Sequence, residues 1–126
     1  MNLPNTLPYV AAALFIVANA SHAAREQPRL PWQIPALASA AFLGFSVYAG
    51  LSEGPLGFWV EHTRNLWGNQ IWLDLLLAAS VGWALMLPRA RAVGMRPLPW
   101  LAVVALLGSI GFLAMLARLF QLEQRA

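Results

Sequence analysis

Long apolar stretches separated by short polar segments are the dominant pattern along this chain. The apolar runs cover about residues 7–24, 31–51, 70–87 and 98–120. Roughly 20 apolar residues in a helix cross the hydrocarbon core of a bilayer, and each run is close to that length. The pattern predicts an all-α integral membrane protein, a four-transmembrane-helix bundle in which residues 1–126 form a single membrane domain.

Proline residues mark the ends of these predicted helices. Pro31 and Pro35 open the second helix, Pro88 follows the third, and Pro97 and Pro99 precede the fourth. Proline lacks a backbone N–H and fits the first turn of a helix, whereas in a helix interior it removes a hydrogen bond. We therefore expect helix boundaries at these positions, including an end of the third helix at Pro88.

The first apolar run also has features of a cleavable secretory signal, because residues 18–20 and 21–23 resemble signal-peptidase sites. A secretory signal carries a positively charged segment before its apolar region. Residues 1–8 contain no basic side chain. We therefore expect the first run to be retained as a transmembrane helix.

The distribution of arginines predicts the orientation of the bundle. With four helices and the N-terminus outside, five arginines lie inside and three lie outside. The inner residues are Arg25, Arg29, Arg89, Arg91 and Arg96, and the outer residues are Arg64, Arg118 and Arg125. Inner segments of membrane proteins carry an excess of Lys and Arg. This partition favours both the N-terminus and the C-terminus outside, whereas cleavage of the first run would reverse it.

Composition narrows the function classes. Of the 126 residues, 60% are hydrophobic and only 10% are charged, against roughly 25% charged in soluble domains. The absence of cysteine excludes disulfides and thiolate metal sites. All eight basic residues are arginines, and they are not clustered with aromatics, so no nucleic-acid interface is predicted. No metal-ligand set or phosphate-binding glycine loop is present, so no metal or other cofactor is predicted.

Asp74 is the one acid inside a predicted span, and it requires a partner, a proton or water. It lies on a stripe with Ala78 and Gly82 at four-residue spacing, which predicts that it points into the bundle. If the fourth helix runs outward, Arg118 reaches a similar depth near its end. Because the planar guanidinium fits a carboxylate, we expect a structural ion pair between Asp74 and Arg118.

Glu61 offers a second acid on the same predicted side as Asp74, in the loop over residues 53–69. Two carboxylates whose environments separate their pKa values can divide acid and base roles. The competing interpretation, which we favour, is that Glu61, His62 and Arg64 are solvated loop charges. The aromatic content of the same loop predicts a short helix lying on the membrane surface.

The C-terminal part of the chain, over residues 71–121, contains an ordered series of elements. Asp74-Leu75 opens one helix, an Arg- and Gly-containing loop covers residues 90–96, Trp100 enters the last helix, and Gly108 and Arg118 follow. This series resembles a small family of bacterial inner-membrane proteins of unknown function. Ala90 departs from it, since an acid is common at that position, and a salt bridge within the loop is not expected. The resemblance implies a compact helical protein of the bacterial inner (plasma) membrane and an association of Asp74 with Arg118, but no reaction.

Three functions are compatible with these features. The favoured one is non-enzymatic: a structural protein, or an accessory subunit of a membrane complex, held in the lipid bilayer with a membrane-protein partner or in a homo-oligomer. The alternative is a membrane-embedded enzyme on a lipid or isoprenoid, similar in architecture to small integral-membrane terpene cyclases, with Asp74 and Glu61 as its acids. A small proton-linked transporter is least favoured, because the inner halves of the last two helices offer few polar residues.

Overall fold

The computed structural model describes residues 2–26 and 30–125, and its contacts divide the chain into two units, residues 1–30 and 31–126. The first unit contains one helix, α1 (Leu3–Ala23), in which no residue is buried. Asn2 caps this helix, because its side-chain oxygen accepts a hydrogen bond from the Asn5 amide at 3.2 Å. The single domain expected from the sequence stays a prediction, and each unit is described by itself.

The second unit contains five helices in its described residues. They are α2 (Gln33–Glu53), α3 (Gly57–Thr63), α4 (Leu66–Ala92), α5 (Pro97–Leu107) and α6 (Ser109–Arg125). The described residues contain no strand, so the all-α prediction is confirmed. Among all the described residues of both units, three helices are long and apolar enough to cross a membrane: α1, α2 and α4. The fourth predicted span is not among them.

The fourth predicted helix, over about residues 98–120, is instead two helices that meet at Gly108. Gly108 has φ +58° and ψ −130°, a conformation that is strained for any residue with a Cβ. Its amide donates to the Val104 carbonyl oxygen at 2.7 Å, and its carbonyl oxygen accepts from the Phe112 amide at 3.0 Å. The same glycine therefore closes α5 and opens α6. With 11 residues, α5 is about 16 Å long, roughly half the hydrocarbon thickness.

Beyond Gly108, α6 folds back onto α5 at a close approach of the two backbones. A Cβ on Gly111 would lie 2.6 Å from the Val103 carbonyl oxygen and 3.0 Å from Val104 Cα. Only glycine permits this contact without movement of the backbone. The two helices thus form a helical hairpin, which we call the α5–α6 hairpin.

Contacts with α4 set the direction of α6. Gly82 faces the ring of Phe112 near the start of α6, where a Cβ on Gly82 would lie 3.3 Å from that ring. Further along both helices, Arg89 forms a salt bridge with Glu123, with 2.6 Å between Nη2 and Oε1. The two helices therefore run in the same direction. We call the end of the unit that carries Arg89 and Glu123 the arginine end.

Contacts with α2 agree with this direction. The buried Ser39 hydroxyl donates to the Ile110 carbonyl oxygen at 2.8 Å near the start of α6. Trp32, just before α2, lines a groove together with Gln121 near the end of α6. Hence α6 runs antiparallel to α2 and ends at the arginine end. In the bundle predicted from the sequence, the last helix runs the opposite way and ends far from Arg89.

The turn between α4 and α5 explains another boundary that differs from the prediction. Helix α4 continues through Pro88 to Ala92, although the sequence predicted an end at Pro88. It is closed by Gly94, at φ +80°, whose amide donates to the Arg91 carbonyl oxygen at 3.1 Å, while the Met95 amide donates to the Ala90 carbonyl oxygen at 2.9 Å. These two bonds form a Schellman motif. The motif places α5 directly beside the end of α4.

The core of the second unit lies where the α5–α6 hairpin meets α4. Met115 and Leu119 of α6 are fully buried. The complete cluster of buried side chains is Met86, Ala90, Met95, Val104, Met115 and Leu119. Since the hairpin reaches along α4 only from Gly82 to the arginine end, the other half of α4 contributes nothing to this core.

Candidate functional site

Asp74 lies on the half of α4 that the α5–α6 hairpin does not reach, and its side chain is exposed. Its neighbours Leu73, Leu75 and Leu77 are also exposed, at 57%, 51% and 66%. Within residues 2–26 and 30–125, the Asp74 side chain forms no ion pair or hydrogen bond. The carboxylate therefore stands on an apolar surface without a partner in the described part of the chain.

The length of α4 gives the depth of Asp74 in a bilayer. The helix has 27 residues and is about 40 Å long, longer than the hydrocarbon core. If one boundary of the hydrocarbon core lies at Pro88, next to Arg89, then a span of about 20 residues reaches back to Asn69. Asp74 is then about 7 Å inside the opposite boundary. At that depth a carboxylate needs a hydrogen-bonding or cationic neighbour, or water.

Arg118 is not that neighbour, because it lies towards the arginine end. Gly82 and Phe112 are in contact and therefore lie at the same level of the unit. From that level, Asp74 is about 12 Å along α4, away from the arginine end. Arg118 is about 9 Å along α6 in the other direction. Its Nη1 donates instead to Gln121 Oε1 at 2.6 Å. The ion pair between Asp74 and Arg118 that the sequence predicted is not formed in this structure.

Helix α3 occupies part of the loop where a short helix was predicted, and it packs on the first turns of α4. Gly68 lies against the Glu61 carbonyl oxygen, and the side-chain amide of Asn69 donates a hydrogen bond to the His62 carbonyl oxygen at 2.7 Å. The ring of Trp72 stacks on this helix, 4.9 Å from the His62 ring centroid. The predicted helix is present, and its position at a membrane surface stays a prediction.

This packing separates Glu61 from Asp74. Glu61 forms an exposed salt bridge with Arg64, at 3.2 Å. Along α4 each residue turns by about 100°, so Asp74 points roughly 200° away from Trp72, the residue that faces α3. The two carboxylates therefore lie on different sides of α4. The two acids of the enzymatic alternative, Asp74 and Glu61, are not brought together in this structure.

Two open grooves lie near the arginine end, at the start of α2. The first has a volume of about 290 Å³ and the second about 250 Å³, and both are bordered by Trp32 and Ala36. The first is also lined by Ser39, Ala114, Ala117, Arg118 and Gln121. Neither groove borders Asp74. Sequence reasoning missed this cluster because it requires the reversal of the chain at Gly108.

The remaining chemistry of the described residues is limited. They contain no group of three or more His, Asp and Glu side chains placed to hold a metal ion. No protein-family model, curated protein or solved structure matches this chain. The resemblance of residues 71–121 to a bacterial inner-membrane family therefore stays a prediction. The exposed carboxylate of Asp74 and the grooves at the arginine end are the two features of the described residues that are suited to binding.

Proposed function

We propose that this chain is a non-enzymatic, multi-pass protein of the bacterial inner membrane that works as a subunit of a larger membrane assembly. The observation that carries this proposal is the exposed carboxylate of Asp74 on an apolar helix, which has no partner in residues 2–26 and 30–125. A charged side chain at membrane depth costs about 3 kcal/mol or more unless a partner satisfies it. In the assembly, a donor from another membrane-spanning chain supplies that partner.

The surface around Asp74 supports contact with another helix. Gly82, Met86 and Ala90 recur every four residues on α4, and they lie where α4 meets the α5–α6 hairpin. The same spacing continues past Gly82 through Ala78 to Asp74, beyond the reach of the hairpin. Small residues let helix backbones approach closely in lipid. The uncovered part of this stripe is therefore suited to a helix from a partner chain.

Within the second unit, the corresponding half of α2 is also uncovered. Phe42, Phe45 and Tyr48 are exposed at 45%, 41% and 61%. Nothing in the described residues lies within 4 Å of a Cβ placed on Gly44. The α5–α6 hairpin thus fills only the arginine end of the space beside α2 and α4. This incomplete packing supports assembly as the proposed role.

The hairpin also changes the proposed orientation. In residues 31–125, Arg64 lies at the α3 end, and the other five arginines lie at the arginine end. These five are Arg89, Arg91, Arg96, Arg118 and Arg125. A five-to-one partition supports a cytoplasmic location for the arginine end by the positive-inside rule. We therefore propose a cytoplasmic C-terminus, in place of the outside C-terminus that a straight fourth helix predicts.

The enzymatic alternative has less support. It requires a pocket beside Asp74 and a second acid within reach. The grooves of 290 and 250 Å³ lie at the other end of the unit, and Glu61 is engaged with Arg64 on another side of α4. No observation in the described residues favours catalysis over assembly.

Extraction from native membranes tests the proposed role. The full-length chain, cross-linked in the membrane and then solubilised in mild detergent, should be recovered as part of a species larger than the 13.8 kDa monomer. Native mass spectrometry would identify the species as a homo-oligomer or a complex with another protein. The proposal is contradicted if the chain is monomeric in all three settings: cross-linked in the membrane, extracted into detergent, and reconstituted in lipid nanodiscs.

A further inference from the structure

The groove between α2 and α6 combines an apolar lining with one cation at the arginine end. Four of its seven lining residues are Trp32, Ala36, Ala114 and Ala117, and Ser39 uses its hydroxyl in the bond to Ile110. Among the residues that line this groove and the adjoining one, Arg118 is the only charged side chain.

Arg118 is free to bind an anion. Its side chain is exposed, and within residues 2–26 and 30–125 no carboxylate lies within salt-bridge distance of it. The hydrogen bond from Nη1 to Gln121 Oε1, at 2.6 Å, orients the guanidinium and leaves its other N–H groups available. By contrast, Arg89 is already paired with Glu123 and lies over the Phe120 ring at 5.7 Å. Among the residues that line the two grooves, Arg118 is thus the cation available to an anion.

The position of the groove matches the level of lipid headgroups. Trp32 lies just before α2 begins, and indole rings prefer the boundary between headgroups and hydrocarbon. Arg118 borders the same groove, so in a bilayer that holds Trp32 at this boundary the Arg118 guanidinium lies at the same level. A phosphate accepts two parallel hydrogen bonds from a guanidinium, which gives both charge and geometric complementarity. Basic pockets between membrane helices on the cytoplasmic side are suited to anionic headgroups.

We propose that this groove is a binding site for an anionic phospholipid, whose phosphate is held by Arg118 and whose first acyl methylenes lie along Ala36, Ala114 and Ala117. The volume of about 290 Å³ is at the lower limit of small-molecule sites, so the groove holds the phosphate and the adjoining part of a chain, not a whole lipid. The proposal rests on the membrane location and the cytoplasmic arginine end proposed above, but not on the assembly role, because it uses the opposite end of the unit from Asp74.

Competition between two lipids with identical acyl chains tests the site. The full-length protein is delipidated and mixed with equimolar phosphatidylglycerol and phosphatidylcholine, and retained lipids are counted by native mass spectrometry. The wild type should retain phosphatidylglycerol preferentially. Arg118→Gln should lower that preference about tenfold, since one charge-assisted phosphate contact is lost. Arg118→Lys, which keeps the charge but not the planar fork, should lower it by a smaller factor.

Arg125→Gln is the matched control, because it removes the same charge from the same helix about two turns away, outside the groove. It should leave the preference within about twofold of the wild type. Equal retention of both lipids by the wild type overturns the proposal. So does an equal loss in Arg118→Gln and Arg125→Gln, because general attraction to a basic surface would then account for binding. Thermal melting of each variant verifies its fold, and Arg118→Lys preserves the test if Arg118→Gln does not fold.

Discussion

Gly111→Ala is expected to destabilise the second unit by about 2 kcal/mol, because the new methyl group would meet the backbone of α5. The Cβ would lie 2.6 Å from the Val103 carbonyl oxygen and 3.0 Å from Val104 Cα. Neither atom can move without shifting the helix, and such overpacking costs about 1–3 kcal/mol. The helix propensity gained from alanine, up to about 1 kcal/mol, offsets only part of this cost.

Unfolding in SDS, followed by tryptophan fluorescence, measures this effect, since Trp83 and Trp100 pack against the core. Gly44→Ala is the matched control, because a Cβ at that position has nothing within 4 Å. It should be neutral or slightly stabilising. If Gly111→Ala unfolds at the same SDS fraction as Gly44→Ala, the close approach of α5 and α6 does not exist.

Asp74→Leu is expected to weaken the assembly without destabilising the monomer. In detergent, the isolated chain should lose no stability, because Asp74 has no side-chain partner in the described residues. In the membrane, assembly should weaken by about tenfold to a hundredfold, since a charged hydrogen bond between chains contributes about 1.5–3 kcal/mol. Asp74→Asn, which can still form a neutral hydrogen bond, should fall between Asp74→Leu and the wild type.

Two measurements on the same variants separate the possible roles of Asp74. Cross-linking yield in membranes reports assembly, and SDS unfolding of the extracted monomer reports stability. Glu61→Gln serves as the control carboxylate, because Glu61 is exposed and already paired with Arg64. A loss of about 3–5 kcal/mol in the Asp74→Leu monomer would instead reveal a buried partner within the chain. An unchanged cross-linking yield would remove the basis for the proposed assembly.

The long helices are predictable because hydrophobic length alone identifies them. The runs near residues 7–24, 31–51 and 70–87 correspond to α1, α2 and α4, with shifts of a few residues at most ends. The end of α4 differs because a proline usually stops a helix, whereas α4 continues for another turn beyond Pro88. Proline removes one hydrogen bond, and packing of Met86 and Ala90 against the core is sufficient to maintain the helix through it.

The hairpin is hard to predict because the residues around Gly108 are as apolar as those of a continuous span. Length therefore favours one helix, although Gly108-Ser109 is the type of pair that ends one helix and begins the next. A second signal lies in the residues after the break. Nonpolar residues recur every four positions there, at Gly111, Met115 and Leu119, whereas Arg118 and Gln121 are polar. This spacing is typical of an amphipathic helix.

The reversal at Gly108 also explains why Asp74 and Arg118 are not paired in this structure. A straight fourth helix would carry Arg118 to the level of Asp74, which makes their pairing the simplest way to satisfy the carboxylate. Reversal of the chain takes Arg118 to the arginine end, where it borders a groove with Trp32, and leaves Asp74 exposed. Local composition identifies both residues as unusual. The distance between them depends on the backbone conformation of Gly108, which the hydrophobic pattern does not reveal.

The reversal at Gly108 can be measured directly, because the chain contains no cysteine and single cysteines can be introduced without interference. Three variants suffice: Ser52→Cys at the end of α2, Ala92→Cys at the end of α4, and Ala126→Cys at the C-terminus. Each is labelled in intact cells with a membrane-impermeant maleimide, before and after permeabilisation. We predict that Ala126→Cys behaves like Ala92→Cys and opposite to Ser52→Cys. Labelling of Ala126→Cys together with Ser52→Cys would show that the last segment crosses the membrane, which contradicts the α5–α6 hairpin.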